Sequence, residues 1–219
     1  MDTKKKELVG NVKNPGRCWR KADRDVRDHG FAKDASGRGI PSGISDVGRH
    51  AGYVVIGTSH ETSAFAVAAL RRWWLAVGRA ADPNARRLLI KADCGGANSN
   101  RRLVGKAALQ RCADESRLII TVTPYPPGAS KGNPIAHRMF SLISGNWAGE
   151  PLVTSETLLQ YSRRTRSATG FPCRACLDQT RSEKGKKVSR EAKVAIRLRP
   201  RSVLPQWNYT IWPHSDGRK

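Results

Sequence analysis

Acidic side chains are scarce in this sequence: 18 Asp and Glu stand against 40 Lys and Arg, a formal net charge of +22 over 219 residues. That imbalance points to a polyanionic partner, DNA or RNA, because neutralising phosphates releases counterions and gives sequence-independent affinity. The bland alternative is a basic soluble protein with no such partner. No apolar run approaches the ~18 residues that a membrane-spanning helix needs. The opening MDTKKKELVG has no apolar segment behind its lysines, so it does not read as a signal peptide. Cysteine is sparse and odd in number, with five in all, which argues against a disulfide framework and for a reducing compartment. The expected location is therefore cytoplasmic, in association with the nucleoid, with no membrane and no small-molecule substrate. Aromatics make up only 6%, yet a 38% hydrophobic share over this length suffices for one sizeable core.

Periodicity supplies the elements. Glu7 to Val12 suggests a short strand, and residues 14–50, rich in Gly, Asp and Arg, show no period and read as loop. YVVIGT, from Tyr53 to Thr58, is a β-branched apolar run of strand length. Phe65, Ala69, Leu70 and Trp73 recur at helical spacing within 62–80. The adjacent Trp73 and Trp74 face different directions, so one of them is expected in the core. Leu88 to Ile90 lead into Asp93 and the strand-ending CGGANSN. Residues 103–114 read as a helix, and Leu118 to Val122 as a buried strand. After the loop PYPPGASKGNP, Pro134 suits the first turn of a helix, and Ile135, Met139, Leu142 and Ile143 fall on one face. Another helix is expected near 155–166. The stretch 180–202 is basic and aperiodic, and QWNYTIWP alternates like a late strand. Buried strands alternating with helices indicate an α/β layered domain.

Three places carry chemistry. Asp2 precedes a possible strand, Asp93 ends a buried one, and Asn133-Pro134-Ile135-Ala136-His137-Arg138 opens a helix. Carboxylates at strand ends and a helix start can converge on divalent metals for phosphoryl transfer, and oxygen ligands suit Mg²⁺ or Mn²⁺. Taken alone, an Asp at a strand end is more often a cap or a turn residue. Cys173 and Cys176 form half of a zinc pattern, but only His214 follows them, so they read as ordinary cysteines. Cys94 and Cys112 read as small buried residues, and Glu61 as a favourable charge at a helix start.

Together, Asp2-Thr3-Lys4-Lys5-Lys6-Glu7, GYVVIGTSHETSAFAVAALRRWW, LLIKADCGGANSN, ITVTPYPPGASKGNPIAHRMFSLISGNWAGEPL and WNYTIWP closely resemble the Rhodopirellula-type, or ISAzo-type, DDE transposases of bacterial insertion sequences. The resemblance covers nearly the whole chain. It implies an RNase H-like α/β fold, a central mixed sheet flanked by helices, and Mg²⁺-dependent (or Mn²⁺-dependent) transposition of DNA. Residues 1–150 would be the catalytic core and 151–219 a basic C-terminal extension of the same domain.

Residue by residue, Asp2 matches the family's first catalytic and metal-binding Asp, and Asp93 the second. The third acid is the Glu of N-x-I-E-H-R, and here that position holds Ala136. Pro124 stands where the family usually has His, and Gly132 where it has Trp. The first Asp ordinarily lies well inside the chain, whereas here it is residue 2, so the preceding half-strand and end-reading region are expected to be missing. DNA contacts are expected from Lys131, His137, Arg138, Lys186 and Lys187. The chain then reads as a catalytically inactive remnant of a transposase. The rival readings are a non-catalytic basic DNA-binding protein that interferes with an intact transposase copy, and a decayed open reading frame.

Overall fold

In the computed structural model, residues 1–27, 35–92, 103–125, 129–168, 170–183 and 185–215 are described. The chain divides into two compact units, one holding residues 1–2, 61–133 and 182–219, the other residues 3–60 and 134–181. Strands β1 (Asp2–Thr3), β2 (Glu7–Val9), β3 (Gly37–Asp46), β4 (Ala51–Gly57) and β7 (Cys173–Asp178) form one sheet. Strands β5 (Arg87–Ala92), β6 (Ile119–Pro124), β8 (Leu198–Pro200) and β9 (Tyr209–Ile211) form another. Both sheets are mixed. β3 is antiparallel to β4 and β4 parallel to β7, while β5 is parallel to β6 and β6 antiparallel to β9. The α/β alternation holds, but the described strands make two sheets where a single central one is expected from the sequence.

In the first unit, helix α1 (Ser63–Trp73) starts on Thr62, whose hydroxyl accepts the Phe65 N–H at 3.1 Å. The cap is therefore Thr62, with Glu61 one residue ahead of it, and the side-chain oxygen satisfies an orphan amide of the first turn. The helix runs into a π-helical turn, Trp74–Gly78, and a short α2 (Arg79–Ala81). Both tryptophans are buried, against the expectation that only one would be. The wider π turn changes the angular step after Trp73. Gly78 leaves the space the Trp74 ring fills, since a Cβ there would stand 2.5 Å from that ring. Helix α3 (Leu103–Ser116) packs on α1, burying Ala108, Leu109, Cys112 and Ala113.

The second unit corrects the loop reading of residues 14–50. β3 is a ten-residue strand that pairs with β4 from Ile40 opposite Gly57 to Asp46 opposite Ala51, while Gly37 to Gly39 pair with β2. Its sequence, GRGIPSGISD, carries the Gly, Pro and Ser that usually mark turns. Pro41 cannot donate, but its carbonyl accepts the Lys4 N–H at 2.8 Å. Gly43 and the neighbouring strand's Gly52 exist for close approach. A Cβ at Gly43 would fall 2.2 Å from Met139 Cε, and one at Gly52 2.8 Å from Met139 Sδ. The helical segment bearing Met139 thus lies directly on the sheet. Val54, Ile56, Met139, Ile143, Leu158 and Phe171 form the heart of this core. Helix α4 (Ser141–Asn146) continues that segment, and α5 (Ser155–Arg164), capped by Thr154, packs on β7.

β7, the second strand that patterning misses, contains the Cys173-x-x-Cys176 pair. Residues three apart on a strand face opposite sides, so the pair cannot share a metal. Cys173 is buried, and burial pushes its thiol up to about 12, while Cys176 meets the Tyr53 hydroxyl at 3.4 Å. Among the described residues no helix is long and apolar enough to cross a membrane.

Candidate functional site

Asp2 opens β1 and is partly buried. Its Oδ2 accepts a hydrogen bond from the Asn133 side-chain amide at 2.9 Å. Beside it the Met1 nitrogen donates to the Lys91 carbonyl, near the end of β5. Lys91 precedes Asp93 by two residues; Asp93 itself, with Cys94 and the rest of CGGANSN, lies outside the described residues. Within the first unit, then, Asp2 is fixed from two directions, by the strand leading towards Asp93 and by the residue that opens the NPIAHR segment.

Asn133 is 5% exposed. The sequence reading placed it in the segment but gave it no role. A buried amide must find a polar partner, and a residue before proline is held out of the helix. A short 3₁₀ turn, Ala129–Gly132, leads into it. Lys131 lies in that turn. A Cβ at Gly132 would meet nothing within 4 Å, so a larger side chain has room at its root there. Pro124 is buried at the end of β6 opposite Ala92.

In the second unit the chain after Asn133 becomes helical, and Ala136 begins a five-residue π turn, Ala136–Phe140. The Ser141 N–H reaches back to the Ala136 carbonyl, the i to i+5 bond that defines such a turn. π turns inside α-helices cluster at functional sites, and this one starts on Ala136, the position at which the resemblance leads one to expect an acid. Its geometry follows from packing: Ile135, Met139 and Phe140 point into the core, while His137 and Arg138 are exposed. Ala136 is partly exposed and presents a methyl group, with neither charge nor lone pair.

Lys186 and Lys187 are exposed in the first unit, where Lys186 approaches Glu183 at 3.7 Å. Glu150 is paired with Arg20 in the second unit. Among the described residues no group of three His, Cys, Asp or Glu side chains could hold a metal.

Residues 1–213 match the Rhodopirellula transposase DDE domain. The chain belongs to that family. No curated protein and no solved structure matches it. The transposase-related character of the protein follows from this membership, as does the expectation of DNA as a partner.

Proposed function

We propose that this DDE transposase-family protein retains DNA binding but has lost strand cleavage and transfer at Ala136. Asp2 and Asp93 are the retained acids, and the fold is RNase H-like. The observation that carries the reading is the methyl group at the head of the π turn, in a chain that otherwise matches the family over 213 residues. In the family a divalent cation, Mg²⁺ or Mn²⁺, supplies charge stabilisation and activates the attacking oxygen. Here the chain's own residues still hold Asp2 through Asn133 and still present His137 and Arg138 to solvent. Phosphate contacts fall to those two residues, to Lys131, and to Lys186 and Lys187 in the basic C-terminal stretch, since such contacts give position and salt-dependent affinity.

The net charge of +22 favours a second reading alongside the first: a non-catalytic partner that occupies DNA or assembles with an intact transposase copy. Metal calorimetry tests the primary reading. With Mn²⁺, the chain as it stands should bind weakly, and Ala136→Glu should bind at least about tenfold more tightly, as expected for restoring a charged ligand. Equal affinity in the two proteins would overturn it.

A further inference from the structure

We propose a binding site for an unpaired nucleotide in the first unit, formed by Trp212, Arg197 and Arg199. This inference rests on the nucleic-acid reading above and extends it from duplex to single strands. A cleft of about 250 Å³ is lined by Ile196, Arg197, Leu198, Arg199 and Trp212. That is room for one base. The Arg199 guanidinium stands 5.5 Å from the centre of the Trp212 ring, and Trp212 is partly exposed. The guanidinium lies over one face of the indole, and a base stacks on the other face or slides between them, with charge for the phosphate.

The cleft is braced from beneath. Gln110 of α3 is buried, and its side chain reaches both walls. Its Oε1 accepts the Arg197 N–H at 2.8 Å, and its Nε2 donates to the Trp212 carbonyl at 2.9 Å. Arg197 Nη1 donates to the Pro213 carbonyl at 2.7 Å, tying the two walls directly. On the far side His214 is fixed by Asp114, which accepts its N–H at 2.8 Å. A buried amide spent on two backbone groups of separate segments holds the walls at a set separation, and such preorganisation lowers the entropy lost on binding. Sequence reading took 180–202 as an aperiodic basic stretch. The pairing of β8 with β9, Arg199 opposite Thr210, is what brings its arginines to the tryptophan.

The test is fluorescence anisotropy with three probes of equal length: oligo-dT, an abasic strand with the same phosphates, and a duplex. The unmodified protein should prefer oligo-dT to the abasic strand. Trp212→Ala should lose about tenfold or more on oligo-dT, the scale of one stacked base, with less than twofold change on the other two probes. Trp212→Phe should keep oligo-dT binding within about threefold. Photo-crosslinking of a 5-iodouracil strand to the unmodified protein gives a readout that no variant can confuse, and the adduct should fall on the peptide containing Trp212. Equal binding of oligo-dT and the abasic strand, or an adduct elsewhere only, would overturn the site while leaving DNA binding intact. Failure to bind any of the three probes would overturn the nucleic-acid reading itself.

Discussion

The Asn133 amide donates to the Asp2 carboxylate at 2.9 Å across 131 residues of sequence. Asn133 is buried and Asp2 partly so, and each satisfies the other. A hydrogen bond to an ionised group contributes about 1.5–3 kcal/mol when sheltered, and less as solvent reaches it. In urea unfolding, Asn133→Ala and Asp2→Ala should each destabilise the protein. Their double-mutant cycle should show a coupling of about 1–2 kcal/mol. Additive losses would mean that the pair does not hold β1 in place.

Gly43 is predicted to be intolerant of even one added carbon. A Cβ there meets Met139 Cε at 2.2 Å, and Phe140 ring atoms at 2.7 and 2.9 Å. Overpacking of this kind costs about 1–3 kcal/mol. Gly43→Ala should lower the urea midpoint, and the double variant Gly43→Ala/Met139→Ala should show less than the sum of the two single losses. An additive double variant would place the helix farther from the sheet than described.

Acid should loosen the bracing around Trp212. Burial opposes ionisation of Asp114, but hydrogen bonds from the His214 backbone, the His214 ring and Gln110 outweigh it and hold the carboxyl below its ordinary 3.8. A depressed carboxyl contributes stability above its unfolded-state pKa, and that contribution is lost as pH falls through the folded one. The window is therefore below about pH 3.8. Asp114 retains 33% side-chain exposure, so screening limits the effect to under about 1 kcal/mol. Between pH 7 and pH 3 the unmodified protein should lose more stability than Asp114→Asn. Parallel losses would show that the pair contributes nothing.

Much of this architecture was legible because apolar runs and helical spacing are strong signals. YVVIGT became β4, the 62–80 pattern became α1 and its continuation, and LIITV fell within the β6 region. β3 was hidden because Gly39 and Gly43 serve packing, against Leu158 and Met139, and not turns, a reason that exists only in three dimensions. β7 was hidden because its sequence, CRACLD, has no β-branched residue to mark a strand. At the candidate site, the resemblance nominates Asp2, Asp93 and Ala136, and Asp93 lies outside the described residues. Asn133 and Gln110 were not, since a buried amide's partners lie far away in sequence.

The central claim is that the change at position 136 has removed the chemistry. Nicking of supercoiled plasmid in Mn²⁺ tests it most directly, comparing the unmodified protein, Ala136→Glu, and Ala136→Glu combined with Asp93→Asn. Loss of one charged positioning group commonly costs about 10²–10³ in rate. The account predicts no nicking above background by the unmodified protein, weak Mn²⁺-dependent nicking by Ala136→Glu, and its disappearance when Asp93 is also replaced. Robust nicking by the unmodified protein, abolished by Asp93→Asn alone, would contradict it.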